Sequence, residues 1–200
     1  SMYDVALHFP DAPELLAWSA VRAQYDYLKK PVWLCDSALR VAAEWLHTNK
    51  RGICWVSHVS FGQALCHMSG LPYYQNEGRN DRGQMIEDGS GPVIASVASN
   101  KAGRNLQHKW DTNLITNSIA SAETTEQLIG RQHRPQQNSD VVRVEIFTGV
   151  REHVIAVNKA RGRANYIQQT TGNVQKLNIA DISFPEDWQI EGRPGIRWER

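Results

Sequence analysis

Two arginines set three residues apart are the side chains in this sequence best suited to anion chemistry. They lie in the stretch EQLIGRQHRPQQ, where Arg131 and Arg134 follow Gln127 and Gly130, and Pro135 comes directly after. Guanidinium forks match pairs of phosphate oxygens. Thr124 and Gln127 have capping-box spacing, so the sequence predicts a helix from Thr124 to Arg134. Gln127, Arg131 and Arg134 then fall at i, i+4 and i+7 on one face. Leu128 and Ile129 turn toward a sheet, Gly130 leaves room for a close approach, and Pro135 stops the helix at Arg134. One guanidinium sits on the last turn and one at the exit, an end where cations are well tolerated. Two arginines placed this way also suit a solvated basic helix end with surface salt bridges.

Other reactive types are scattered. Cys54, His58, Cys66 and His67 have no common zinc spacing. Lys159, Arg161 and Arg163 form a basic cluster that suits either a phosphate patch or a solvated helix face. The net charge of the 200-residue chain is only +1, so a nucleic-acid or membrane role would have to come from a local patch. Three cysteines without a CxxC pair suggest reduced thiols in a cytoplasmic compartment. No apolar run approaches a membrane span and no signal peptide is visible, so no membrane partner is expected. Ser1-Met2 reads as a cloning scar, so Tyr3 onward is expected to be an internal cut from a longer protein.

The elements that must hold these residues alternate. Helical periodicity runs from Asp11 to Lys30 and from Asp36 to Thr48. Short apolar runs follow at Gly52 to Val56, Leu71 to Tyr74, Pro92 to Val97 and Thr112 to Thr116, with a longer, partly alternating strand from Val141 to Thr148. Between them lie helical stretches from Ser60 to Met68 and from Val150 to about Gln169, and a short one around Arg82 to Glu87. Asp181 to Arg200 reads as an irregular tail. Strands alternating with helices predict an α/β domain with a mainly parallel sheet. In such sheets chemistry gathers on loops at the carboxyl ends of the strands. The expected organisation is a helical lead-in over 3–50 packed on the lobe, an α/β lobe over 51–180, and the tail over 181–200.

The string Gln-x-x-Gly-Arg-x-His-Arg-x-x-Gln, from Gln127 to Gln137, resembles motif VI of the superfamily 2 helicases and translocases. Its His-Arg pair and trailing Gln137 look most like the chromatin-remodeller-like, Swi/Snf-type branch. RGICWVSHVSF, from Arg51 to Phe61, is similar to motif IV, and the segment from Tyr73 to Arg82 resembles the stretch that comes after it. VIASVASNKAGRNLQ, from Val93 to Gln107, looks like motif V, and WDTNLIT, from Trp110 to Thr116, like the next strand. Val142 to Val157 resembles the strand and helix that close the lobe. These matches keep the family's order over most of Arg51 to Val157. Three departures stand out: the motif V-like turn lacks the extra glycines of that branch, the span between the motif IV-like and motif V-like strands is short, and Gln136 stands where the branch often has glycine.

The resemblance implies a RecA-like three-layer sandwich, the second of two lobes that close on ATP and Mg2+. Arg131 and Arg134 would be arginine fingers, with Gln127, Gly103 and Asn105 near the nucleotide. Ser57, His58, Ser99, Asn100 and Lys101 would touch nucleic-acid phosphates, which positions a strand without reading bases. The track would be DNA, with double-stranded favoured. The chain carries no GxxxxGK[ST] loop and no strand-borne Asp-Glu box. It is therefore expected to be inactive alone and to need a P-loop lobe of the same protein, which would also hold most of the ATP and Mg2+. A non-catalytic nucleic-acid-binding lobe and an unrelated α/β domain remain as alternatives.

Overall fold

The computed structural model describes residues 17, 21, 31–100, 104–117 and 119–180. The chain divides into two compact units, residues 1–34 and 35–200. In the first, Ala17 and Val21 are helical. The rest of the helix expected from Asp11 to Lys30, and the expected tail over 181–200, lie outside the described residues.

The second unit is built on a five-stranded sheet of β1 (Gly52–Val56), β2 (Tyr73–Tyr74), β3 (Val93–Ser96), β4 (Thr112–Ile115) and β5 (Arg143–Ile146). The order is β2-β3-β1-β4-β5, and every pairing is parallel. The helices are α1 (Ser37–Thr48), α2 (Val59–Ser69), α3 (Val97–Asn100), α4 (Ala122–Ile129), α5 (Arg151–Thr171) and α6 (Lys176–Ile179). All five residues of β1 are buried, as a strand covered on both faces requires.

Side-chain alternation divides the apolar residues between two cores. Ile53, Trp55, Val93, Ala95 and Ile115 join Leu106, Trp110 and Leu128 of α4 in one cluster. Cys54, Val56, Ile94 and Leu114 meet Leu39 and Leu46 of α1 and Leu65 of α2 in the other. A third cluster packs Ala122 of α4 against Ala160 and Ala164 of α5 and Leu177 of α6. The result is a three-layer α/β sandwich, the architecture expected of a RecA-like lobe. Polar stitches run through it. The buried Trp55 indole donates to Asn113 Oδ1 at 2.9 Å, and Asn113 Nδ2 donates to the Arg143 carbonyl at 3.2 Å, tying β1, β4 and β5 together.

Two boundaries differ from expectation. Residues 35–50 belong with the sheet and not with the lead-in, because α1 buries Leu39, Ala42, Ala43 and Leu46. The Lys50-Arg51-Gly52 break that separates them in sequence is only the turn into β1. The short helix expected around Arg82 to Glu87 is replaced by two 3-10 turns, Asn76–Gly78 and Ile86–Asp88, with an antiparallel bridge between Arg79 and Met85.

Candidate functional site

The arginine segment begins one turn earlier than its sequence suggests. Ser121, not Thr124, caps α4: its hydroxyl accepts the Thr124 N–H at 3.2 Å. The helix ends at Ile129, short of the expected Arg134. Beyond it, Arg131 N–H bonds the Leu128 carbonyl and Gln132 N–H bonds the Ile129 carbonyl, a tighter three-residue spacing. A β-carbon on Gly130 would lie 2.8 Å from the Glu126 carbonyl. Glycine is thus what lets the chain tighten there.

This turn separates the three residues expected on one face. Gln127 stays on the helix, its Nε2 donating to Glu123 Oε1 at 3.2 Å. Arg131 turns inward. It is only 6% exposed, and its Nη1 donates to the Arg104 carbonyl at 3.0 Å. Burial, then the nearby Arg134 charge, push its pKa below the ordinary arginine value. Arg134 turns outward to solvent. Its Nε donates to the Gly130 carbonyl and its Nη1 to Asn105 Oδ1, both at 2.8 Å. An open cleft lies over this turn, walled by Gln127, Arg131, His133 and Arg134 on one side and by Val174 and Lys176 on the other.

The arginine turn and the segment from Arg104 to Asp111 are laced together further along. Gln137 Nε2 donates to the Trp110 carbonyl at 3.1 Å and to the Gln132 carbonyl at 3.0 Å. Ser139 donates its hydroxyl to Asp111 Oδ2, which also accepts from Arg51 Nε at 2.6 Å. Burial opposes charge on Asp111. Hydrogen bonds from Ser139, Arg51 and Thr112, with the Arg51 charge, outweigh it and hold the carboxyl below the usual range. Gln136 adopts φ 70°, the left-handed region where glycine is at ease.

Sequence reasoning did not single out Arg104. Its Nη1 spans both oxygens of Glu87, at 2.9 and 3.0 Å, and its Nη2 donates to the Glu77 carbonyl. Gly78, at φ 77°, lies under the guanidinium: a β-carbon there would be 2.2 Å from Nη2. Lys109 Nζ reaches the carbonyls of Glu87 and Gly89 at 2.6 and 2.9 Å. The 76–91 loop is therefore buckled to the strand of chain that carries Asn105. A glycine beside an acidic residue gives no sequence signal for a partner more than twenty residues away. Gln132, between the two arginines, is also unforeseen: it is fully buried, and neither side-chain polar atom has a hydrogen-bond partner among the described residues.

The residues expected on a nucleic-acid track sit after β1 and β3, adjacent parallel strands. Ser57 and His58 are exposed in the turn between β1 and α2, and Ser99 is half-buried in α3. They share the carboxyl edge of the sheet. Asn100 is fully buried, and its amide donates to the Tyr74 and Ser96 carbonyls at 2.9 and 3.0 Å. It ties β2 to β3 and does not reach solvent. Lys101 and Gly103 lie outside the described residues.

No protein-family model matches the chain, and no curated protein matches it. Among solved structures it is similar to the C-terminal part of the Fun30 ATPase domain, with a TM-score of 0.49 and 13% identity over 79% of this chain and 54% of that one. It is also similar to the Mycobacterium smegmatis helicase Lhr bound to ssDNA and AMP-PNP, with a TM-score of 0.49 and 14% identity over 64% of this chain and 18% of that one. A third similarity is to T4 UvsW, with a TM-score of 0.44 and 12% identity over 64% of this chain and 31% of that one. The chain spans about half the length of the first structure, which it covers to 54%.

Proposed function

We propose that this chain is the second lobe of a two-lobe, ATP-driven DNA helicase or translocase. The observation that carries this reading is the clasp between two segments recognised separately in the sequence. The motif VI-like turn bonds the motif V-like segment at two points, Arg131 to the Arg104 carbonyl and Arg134 to Asn105. Their close union is what a shared phosphate site demands.

The groups offered at that site fit polyphosphate. They are guanidiniums and amides, and no cluster of three or more His, Cys, Asp or Glu suited to a metal ion occurs among the described residues. Mg2+ and the phosphate cradle would be held by a P-loop lobe of the same protein. ATP supplies the energy of phosphoryl transfer when the lobes close. Arg134, being exposed, would stabilise the charge that develops on the transferred group, a contribution of roughly a thousandfold or more in rate. Arg131, bonded to the Arg104 backbone, sets where the clasp lies. Gln127, at the cleft wall, and Asn105 would border the nucleotide, the role the resemblance implies for Gly103 too. Ser57, His58 and Ser99 would meet backbone phosphates of DNA, duplex by preference, a role the resemblance implies for Lys101 too, and Asn100 shapes the turn beneath them. No helix among the described residues is long and apolar enough to cross a membrane.

One observation favours a second reading, a non-catalytic nucleic-acid-binding lobe: Arg131 is buried, a place more typical of a structural group than of a finger. ATP hydrolysis separates the two. It is measured with and without duplex DNA for this chain alone and for the same chain joined to a preceding P-loop lobe. Turnover only in the joined protein, stimulated by DNA and lost in Arg134→Ala, upholds the motor. Equal turnover in Arg134→Ala removes the finger, and no turnover in the joined protein leaves the binding lobe.

A further inference from the structure

The long helix α5 packs through Val157, Ala160 and Ala164, which leaves the opposite face to solvent. Asn158, Lys159, Gly162, Arg163, Tyr166 and Gln169 fall within a single exposed arc of that face. Two properties set it apart from an ordinary solvated helix. After Glu152 in the first turn, α5 contains no acidic residue through Thr171. Lys159 and Arg163 stand at i and i+4, a repulsive spacing that a carboxylate would normally relieve. Among the described residues neither has an ion-pair or hydrogen-bond partner.

The second property is Gly162, at the middle of the arc and in line with Asn158 and Tyr166. A β-carbon there would meet nothing within 4 Å, and its backbone is helical. No packing contact and no backbone angle asks for glycine, and glycine weakens a helix interior. What it leaves is a bare patch of backbone ringed by cations, amides and a phenol. Tyr166, 67% exposed, stands beside it.

We infer that this face of α5 is a second nucleic-acid contact, gripping the sugar-phosphate backbone of duplex DNA. Every side chain of the arc is a type that donates to phosphate: lysine, arginine, asparagine, glutamine and tyrosine. The arc runs about 16 Å along the helix from Asn158 to Gln169. Each strand of a duplex presents one phosphate roughly every 3.4 Å of helix axis, so that length meets a few in a row. Glycine at the centre lets the rail approach the helix without a side chain in between. The contact needs no ATP site, so it stands apart from the clasp and from the loops after β1 and β3.

Fluorescence anisotropy of this chain with a labelled duplex, titrated over a range of salt, is the test. Lys159→Gln with Arg163→Gln weakens binding and flattens the log-log salt slope by about 1.8, close to 0.9 for each phosphate no longer neutralised. Gly162→Gln supplies the control for folding. It replaces glycine with a good helix former, so the melting temperature rises by a few degrees while duplex affinity falls. A merely structural face would not move those two readouts in opposite directions. An unchanged salt slope in the double variant, or no duplex binding by the wild-type chain at low salt, overturns the inference. Tighter binding to a single strand, lost in Tyr166→Ala and kept in Tyr166→Phe, overturns it too, since that pattern marks base stacking. A chain with Ser57→Ala and His58→Ala reports on the loops alone. Its loss of affinity beside wild-type behaviour in the α5 variants sinks this inference and leaves the earlier one standing.

Discussion

Gly78→Ala, taken together with Arg104→Ala, tests whether the 76–91 loop is held as described. In Gly78→Ala two costs add. The residue keeps φ 77°, which costs a non-glycine residue roughly 1 kcal/mol. The new β-carbon would lie 2.2 Å from Arg104 Nη2, so the guanidinium must leave. Its bonds to Glu87 and to the Glu77 carbonyl go with it. The Arg104 and Glu87 side chains are only 13% and 33% exposed, so the charge-assisted bonds are worth roughly 2 kcal/mol. The single change should therefore destabilise by about 3 kcal/mol, and Arg104→Ala by about 2 kcal/mol. Once Arg104 is shortened, nothing is left for the β-carbon to displace. The double variant should then cost about 3 kcal/mol and not the additive 5, a coupling near 2 kcal/mol. Urea unfolding of the four chains, read as midpoint shifts at constant slope, gives these numbers. Additive losses would mean that the guanidinium does not lie over Gly78, and the link from this loop to the arginine clasp would go with it.

The two arginines should also part company. Arg131→Ala lowers stability by about 2 kcal/mol in urea unfolding, because it strands the Arg104 carbonyl, whereas Arg134→Ala costs about 0.5 kcal/mol or less. Gln136→Gly relieves a left-handed backbone at an exposed position and should stabilise by about 0.5–1 kcal/mol; a loss would show that the glutamine side chain matters there. Asp111→Asn should cost about 2 kcal/mol at neutral pH. Because the folded carboxyl titrates below its unfolded value, this stability is present above about pH 3.9 and fades as pH falls through the folded pKa. The wild-type and variant curves should thus converge in acid, and a constant gap would refute the Asp111 knot. Gly62→Ala sets a β-carbon 2.4 Å from the buried Tyr73 ring, and thermal melting should show a loss of about 1–3 kcal/mol.

The inner strands were legible as short, mostly apolar runs bounded by glycine or polar residues, and β5, Arg-Val-Glu-Ile, through its alternation. Gly52 to Val56 matches its expected bounds to the residue, since complete burial needs an unbroken apolar run and Gly52 marks where it starts. The arginine turn was legible in composition but not in shape. A helical wheel carried through Gly130 puts Gln127, Arg131 and Arg134 on one side. The actual chain tightens at Gly130, and that small change of pitch sends Arg131 inward and Arg134 outward. The cap was missed for a related reason: Ser121 and Thr124 both offer a hydroxyl, and only tertiary packing of Ala122 against α5 decides where the helix begins. Gln136 gave no warning of its φ of 70°, a backbone that glycine would adopt without strain. The Arg104 buckle and the burial of Asn100 had no signal, because each depends on which strands become neighbours. Asn100 reads as a polar turn residue until β2 is known to end beside it.

The strand order also imposes a schedule on synthesis. β1 is made before either of its neighbours. Ile53 waits for Val93, 40 residues later (93 − 53), and Gly52 for Thr112, 60 residues later (112 − 52). At roughly 5–20 residues per second, the Gly-Ile-Cys-Trp-Val strand spends about 3–12 s on the ribosome before both flanks exist. During that time only α1 and α2 can shelter it, and they cover the side bearing Cys54 and Val56. The side bearing Ile53 and Trp55 stays bare until the segment holding Leu106 and Trp110 arrives. That exposed tryptophan face is where a chaperone would first find this chain, and where slowing of translation between residues 60 and 110 would most increase aggregation.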